Sequence, residues 1–284
     1  MARIDAAELE EIAQAAIQRA GAREGMAGAA AAALVEADLQ GLPTHGVSRV
    51  ALYCTLLRSG RVDGAAIPTV RRDEGAMCLI DNRDALPFEA CRIATDRAIA
   101  KAKSLGIAIS VVANSGHTGA HAINLMPVAA AGVIGISGSN APAAIPPWGG
   151  TKPVFGTNPI CATFPRAGAD PVVIDLSLTT VTRGRIMLAA KAGKPIPDGW
   201  ALNRQGQPTN DADEALNGGS LFPIGGSKGA MLAMLIEMLC SPLSGSSLGP
   251  EADSYFAESG NRPRVGQFFI VIDPSQLAGS DVYG

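Results

Sequence analysis

Apolar residues recur at helical spacing through the first fifth of the chain. Asp5-Ala-Ala-Glu8 has the pattern of an N-cap followed by a carboxylate three residues later, and residues 9–17 continue with an apolar stripe. The same spacing predicts helices over residues 26–39 and 45–57, and Ser59-Gly60 ends the last of them. We therefore expect residues 1–60 to form a helical layer.

Beyond this layer the pattern alternates between short apolar runs and helical spacing. Residues 77–80 form a short apolar run, residues 88–104 have helical spacing, and residues 106–113 are rich in β-branched side chains. Further core strands are predicted over residues 133–137, 160–164, 172–176 and 268–272. This order predicts an α/β fold, with a helical region over residues 1–75 and an α/β region over residues 76–284.

Two long segments show neither helical nor strand periodicity, and one predicted helix is apolar on most of its circumference. Residues 140–158 hold several prolines and glycines and should be extended or turning, and residues 192–222 are also predicted to be irregular. A long ordered loop in a compact protein is usually functional. The last predicted helix, residues 227–243, should be buried because its large apolar side chains cover most of its circumference: Met231, Leu232, Leu235, Ile236, Met238 and Leu239.

Composition excludes several functional classes. The 284 residues are 47% hydrophobic, and 23 basic and 26 acidic residues give a net charge of −3, with no basic tract of the kind that binds nucleic acid. The chain start lacks a signal-peptide core, and no apolar segment is long enough to span a membrane, so we expect a cytoplasmic protein. The five cysteines are scattered without a C-x-x-C pair and should be core residues, since this pattern suits neither disulfides nor zinc.

The strongest chemical signal is the segment Thr44-His45-Gly46-Val47-Ser48-Arg49. With an imidazole and a guanidinium four residues apart, His45 and Arg49 would lie on one helical face, where they could supply a proton and bind a carboxylate. The alternative from spacing alone is a hydrogen-bonded histidine near a helix start and a solvated arginine.

The other two histidines form an H-x-x-x-H pair. On a helix, His117 and His121 would face the same side, as in a zinc site, but the glutamate of H-E-x-x-H is missing and Gly119 weakens a helix. We expect no metal, although a metal-dependent hydrolase that uses His117, His121 and His45 is the alternative enzyme class.

Glycine-bearing turns next to apolar runs are candidate sites for an anionic cofactor. They are Gly116-His-Thr-Gly119, Gly156-Thr-Asn-Pro159, the segment Asp175 to Thr180, and Gly225-Gly-Ser-Lys-Gly229. The chain has neither G-x-G-x-x-G after a strand nor a P-loop, which disfavours a Rossmann dinucleotide domain and a P-loop NTPase. Lys228 is well placed to bind an anionic group. The alternative is that it only caps a helix start in contact with solvent.

Several of these segments, in their order along the chain, resemble the malate/L-lactate dehydrogenase family of the second type, also called sulfolactate-dehydrogenase-like. The segments are Asp38-Leu-Gln-Gly41, Thr44 to Arg49, Asn114 to Gly119, Gly156 to Pro159, Asp175-Leu-Ser177, Ile196 to Ala201, Gly206 to Thr209, Gly225 to Gly229 and Ile272-Asp-Pro274.

This resemblance implies reversible hydride transfer between NADH or NADPH and a small 2-oxo acid, or alternatively a cyclic 2-imino acid. It implies a non-Rossmann fold with a mixed sheet flanked by helices, and a homodimer, but it does not distinguish NADH from NADPH. His45 would donate a proton near neutral pH, and Arg49 would hold the substrate carboxylate. The remaining roles follow from the family pattern: Asp175 and His117 in the catalytic pocket, and Thr157, Asn158, Asp175, Ser177, Thr179, Ser227 and Lys228 at the cofactor.

The sequence departs from the family at three places. Thr44 replaces a common serine, and Thr118 replaces a usual phenylalanine, which would change the substrate pocket. A further C-terminal segment that family members carry after Asp273-Pro274 is expected to be missing. The non-enzyme alternative is therefore a cofactor-less homologue that serves as an oligomeric scaffold.

Overall fold

The computed structural model describes residues 4–257, 259–277 and 279. Its main sheet has seven strands: β1 (Thr69–Glu74), β2 (Met77–Asp81), β3 (Ile107–Ser115), β4 (Ile134–Ser139), β5 (Ile160–Phe164), β6 (Val172–Leu176) and β10 (Val265–Ile272). Their order across the sheet is β1-β2-β3-β10-β4-β5-β6. Within this sheet β2 and β3 pair in parallel and the other neighbouring strands are antiparallel, so the expected mixed sheet is confirmed.

Helices cover both faces of the sheet. The α-helices of the described residues are α1 (Ala6–Arg19), α2 (Glu24–Leu39), α3 (Val50–Arg58), α4 (Phe88–Leu105), α5 (His121–Ala130), α6 (Arg183–Lys191), α7 (Ala212–Leu216) and α8 (Ser227–Ser244). Helices α4 and α5 pack on one face and α8 packs on the other, while α2 lies against α4 and brings the N-terminal layer onto the sheet. Asp5 caps α1 as predicted, because its side chain accepts the Ala7 N–H at 2.9 Å.

The predicted irregular segment 192–222 contains secondary structure. Three short strands, β7 (Ala201–Leu202), β8 (Pro208–Thr209) and β9 (Ser220–Leu221), form a second sheet in the order β8-β7-β9. This small sheet buries Ala201 and Leu221 in a core shared with α6 and α7. The prediction was wrong here because two-residue strands are too short to show a period of their own.

Burial differs from the sequence prediction at two elements. Strand β6 is an exposed edge strand rather than a core strand, since it pairs with β5 alone. Helix α8 is buried on one side only: Ile236 is 1% exposed, whereas Met231 is 63% exposed. Both predictions took an apolar run as evidence of burial, and sequence alone does not say which apolar surfaces the same chain covers.

One boundary and several helices also differ from the sequence prediction. The hairpin of β1 and β2 crosses residue 75, so β1 belongs to the sheet and the helical layer ends before it. Helices α5, α6 and α7 were not predicted.

The five cysteines are free and buried, which confirms that they are core residues. In the described part of the chain, no helix has the length and apolar character that a bilayer crossing requires.

Candidate active site

His45 lies in a turn that precedes α3, and its position is fixed by bonds within that turn. The His45 N–H donates to Leu42 O at 2.9 Å, and the next residues form a 3₁₀ turn over Val47–Arg49. Arg49 Nε donates to Thr44 O at 2.6 Å, which folds the arginine back over the histidine segment. The predicted shared helical face is therefore wrong, because the helix begins only at Val50, and the turn itself brings the two segments together.

Asp38, at the end of α2, holds this turn in place. Its Oδ2 accepts the Val47 N–H at 2.8 Å. The carboxyl group occupies the space next to Gly46, where any Cβ atom would overlap it. The absence of a side chain at Gly46 leaves room for this carboxyl group, whereas the φ of −88° at Gly46 is open to any residue.

His117 faces His45 from the loop after β3. The two imidazole rings are nearly parallel, with centroids 5.8 Å apart and an interplanar angle of 8°. His117 Nδ1 lies 2.8 Å from the buried Tyr53 hydroxyl and accepts the Gly119 N–H at 3.4 Å. Burial lowers the pKa of His117 to about 3, helped by the nearby charges of His45 and Arg49. His117 is thus neutral, and its hydrogen bonds assign the proton to Nε2.

The pKa of His45 responds to three neighbouring features. Burial lowers it below 6.5, the Arg49 guanidinium lowers it further, and the Asp175 carboxylate raises it. His45 Nδ1 lies 3.0 Å from the Thr44 hydroxyl. The replacement of serine by threonine at this position therefore keeps a hydroxyl partner for the imidazole.

Asp175 reaches the same site from β6. Its Oδ2 accepts the Ala122 N–H at 2.8 Å, at the start of α5, where the helix dipole favours a negative charge. Although β6 is an edge strand, partial burial of the carboxyl group raises the pKa of Asp175, and the Ala122 N–H and His45 act against this rise. Asp175 lies about 130 residues later in the sequence, yet in the fold it is close enough to His45 for the two charges to interact.

His121 has a structural environment. It is 1% exposed, its Nδ1 lies 3.0 Å from Ser137 Oγ, and its Nε2 lies 3.0 Å from Ser139 Oγ. Burial lowers the pKa of His121 to about 4. The serines thus occupy both ring nitrogens, and no group of three metal-binding side chains occurs among the described residues.

Two aromatic rings that the sequence analysis did not identify contact the site. Tyr255 meets the His117 ring edge-to-face with centroids 5.5 Å apart, and the Arg49 guanidinium carbon lies 5.5 Å from the centroid of the Phe256 ring. The only available signal was rarity, since the chain has three tyrosines and two of them, Tyr53 and Tyr255, lie against His117.

Three separate loops assemble most of the predicted cofactor residues. The Leu178 N–H donates to Thr157 O at 2.8 Å, and the Ile224 N–H donates to Leu178 O at 3.0 Å. The Ser177 and Thr179 hydroxyls lie 3.0 Å apart, and Thr179 forms a β-bridge with Pro223. These contacts bring Thr157, Ser177 and Thr179 together. Helix α8 begins just beyond them in the sequence, with Ser227 and Lys228.

The start of α8 has the donors that an anionic group needs. Helix α8 has no side-chain cap, so the N–H groups of Ser227, Lys228 and Gly229 have no hydrogen-bond partner among the described residues. The Lys228 side chain is exposed at this end. Free N–H groups at a helix start together with a lysine suit a phosphate group.

Asn158 is the exception in the predicted cofactor set. It is completely buried, and its Nδ2 donates to Ala233 O and to Glu237 Oε2, both at 2.8 Å. The side chain therefore points into α8, where Glu237 also accepts from Asn140 at 3.0 Å. This internal role does not fit the predicted side-chain contact with a cofactor.

Comparison with known proteins gives one consistent family. The family model for malate/L-lactate dehydrogenase matches residues 4–283. A (2R)-3-sulfolactate dehydrogenase (NADP(+)) of Chromohalobacter salexigens is 42% identical over 271 residues, which cover 95% of this chain and 81% of that protein. A Delta(1)-pyrroline-2-carboxylate/Delta(1)-piperideine-2-carboxylate reductase of Pseudomonas putida is 36% identical, covering 98% of this chain and 81% of that protein. The crystal structure of delta1-piperideine-2-carboxylate reductase from Pseudomonas syringae superposes with a TM-score of 0.91 at 33% identity, covering 97% of this chain and 83% of that one.

Proposed function

Because the chain belongs to the malate/L-lactate dehydrogenase family, we propose that it is an NAD(P)-dependent oxidoreductase acting on a small 2-oxo acid or its 2-hydroxy acid. The observation that carries the proposal is the meeting of His45, Arg49 and His117 at one point of the fold. Reduction of a 2-oxo acid needs a proton donor for the carbonyl oxygen and a cation for the carboxylate, and these residues supply both.

His45 is the proton donor in this mechanism. When His45 is protonated, its Nδ1–H donates to the Thr44 hydroxyl 3.0 Å away, which leaves the Nε2 proton for the substrate oxygen. Burial and Arg49 lower the pKa of His45, which makes the imidazolium a stronger acid. The Asp175 carboxylate acts against this lowering of the His45 pKa.

Arg49 and His117 orient the substrate and stabilise charge. Since Arg49 Nε is held by Thr44 O, the two terminal nitrogens of the guanidinium are left to bind the substrate carboxylate. Neutral His117 carries its proton on Nε2, so it can donate a hydrogen bond to the oxygen on which negative charge develops.

The residues at the start of α8 and in the adjacent loops fit a nicotinamide dinucleotide. The N–H groups of Ser227 and Lys228 and the Lys228 ammonium would hold its phosphates, and the hydroxyls of Thr157, Ser177 and Thr179 would bind its polar groups. When bound, the reduced nicotinamide supplies the hydride for the C2 atom of the substrate. The choice between NADH and NADPH is open.

A cyclic 2-imino acid is the second candidate substrate, favoured by the 36% identity to the Pseudomonas putida reductase. Such a substrate also presents a carboxylate next to a polar double bond. Arg49 and His45 would then bind the carboxylate and protonate nitrogen instead of oxygen.

An assay of NAD(P)H oxidation tests the proposal. The parent, His45→Ala and the exposed control Gln40→Ala are compared with pyruvate, oxaloacetate, sulfopyruvate and a cyclic imino acid. We expect His45→Ala to lose most of its turnover. Cofactor binding should still quench the fluorescence of Trp148 and Trp200 in this variant. Full turnover of His45→Ala would remove His45 from the mechanism, and failure of the parent to bind either cofactor would favour the scaffold.

We propose that the helical layer within residues 1–75 supplies the catalytic histidine and that the α/β region within 76–284 binds the cofactor. We also propose that the protein is a cytoplasmic homodimer. Free buried cysteines suit a reducing compartment. Six large apolar side chains of α8 are between 43% and 63% exposed, which is typical of an interface: Met231, Leu232, Met234, Leu235, Met238 and Leu243. Leu235→Asp should yield a monomer in light scattering, and an unchanged mass would exclude this face.

A further inference from the structure

Arg61, in the turn after α3, is a buried cation whose recorded partners are backbone carbonyls. The residue is 3% exposed. Its Nε donates to Asn261 O at 2.9 Å, and its Nη1 donates to Ser254 O at 3.0 Å and to Ala257 O at 2.7 Å. Nη2 donates to Asp253 O at 3.2 Å. One guanidinium therefore ties together a loop that lies about 190–200 residues later in the chain.

We call this loop the aromatic loop and define it as residues 253–257 with its return through 259–261. Its two ends also bind each other, since the Asp253 N–H donates to Asn261 Oδ1 at 3.0 Å and the Asn261 N–H donates to Asp253 Oδ2 at 2.7 Å. The two sides of the loop are thus bonded to each other, and Arg61 donates to carbonyl groups on both sides. Arg61 adds four hydrogen bonds to those that the loop makes within itself.

The aromatic loop carries the two rings that contact the candidate active site. Tyr255 packs edge-to-face on His117, and Phe256 lies against the Arg49 guanidinium. Tyr255 is 8% exposed, whereas Phe256 is 52% exposed. Any shift of this loop therefore moves the Tyr255 ring that contacts His117 and the Phe256 ring that contacts the Arg49 guanidinium.

We propose that Arg61 is a positioning residue for the reaction, acting through the aromatic loop on Arg49 and His117; this inference rests on the proposed function. Among the described residues, Arg61 makes no hydrogen bond to either Arg49 or His117. Its fork of donors reaches four carbonyls in different directions, and an ammonium group, with one nitrogen, cannot reach all of them. A lysine at this position would retain the charge and lose the geometry.

The test compares Arg61→Lys and Arg61→Ala with Arg58→Ala, which removes an exposed arginine three residues earlier. We expect Arg61→Lys to lose about 100-fold in kcat/KM, because a displacement of about 1 Å in positioning groups has an effect of this size. Most of the loss should appear in the KM of the 2-oxo acid, since the loop supports Arg49. The KM of NAD(P)H should remain that of the parent, as should both constants in Arg58→Ala.

Hydrogen exchange by mass spectrometry provides a readout that does not depend on activity. In Arg61→Lys, peptides of the aromatic loop should exchange faster, while peptides of α1 and α2 should keep the protection of the parent. Unchanged loop exchange would overturn the inference, and so would faster loop exchange with an unchanged substrate KM. If the parent turns over none of the substrates, the proposed function fails, while the exchange experiment still decides whether Arg61 holds the loop.

Discussion

Substitution of Gly46 by alanine should disable the site through a single added methyl group. In the structure this methyl would overlap the carboxyl group of Asp38, whose Oδ2 accepts the Val47 N–H at 2.8 Å. The methyl and the carboxylate cannot occupy the same space, so Asp38 must rotate away or the turn must move. Either change breaks the bond that holds the turn, and His45 is the residue next to it.

The size of the effect follows from that bond. A hydrogen bond to a charged group contributes about 1.5–3 kcal/mol, and the value here should be near the lower end because the turn is only partly buried. For a chain of this size, each kcal/mol lowers Tm by about 2–4 °C, so we expect a fall of about 3–6 °C. Because His45 and Arg49 both belong to this turn, kcat/KM should fall by about 100-fold.

Thermal unfolding and steady-state kinetics measure the two effects on the same samples. Gly184→Ala is the matched control, since an added methyl at Gly184, in the first turn of α6, meets no atom within 4 Å. Asp38→Asn keeps the shape of the side chain and should lose about half of the stabilisation, because neutral hydrogen bonds are about half as strong. A Gly46→Ala variant with the kcat/KM of the parent would refute the role of this turn.

Three further predictions concern other parts of the site. Tyr53→Phe leaves His117 Nδ1 without its 2.8 Å partner and should lower the free energy of unfolding by about 1–3 kcal/mol in urea titrations; an unchanged midpoint would contradict this. Asp175→Asn removes the charge that raises the pKa of His45, so the alkaline limb of kcat/KM for reduction should move to lower pH, and a limb that stays in place would rule out the coupling. Lys228→Ala should raise the Kd of NAD(P)H about tenfold, equivalent to about 1.4 kcal/mol, while the KM of the 2-oxo acid stays constant; equal changes in both would move Lys228 out of the cofactor site.

The sequence predicted the local features of this protein well. The Asp5 cap, the first two helices and most strands follow from spacing, because these signals involve residues a few positions apart. The order of the motifs along the chain indicated the family from the sequence alone. The His45 turn was misjudged as part of a helix, since a sequence separation of four residues does not distinguish a helix from a turn followed by the 3₁₀ segment Val47–Arg49.

Only the tertiary structure decided which distant residues share the site. Sequence placed Asn158 at the cofactor, but the fold turns it towards Glu237, and sequence gave no reason to connect Arg61 with Tyr255 and Phe256. The physical reason is that local periodicity shows which face of a segment is buried, whereas contacts between residues 100–200 positions apart depend on how all the segments pack together.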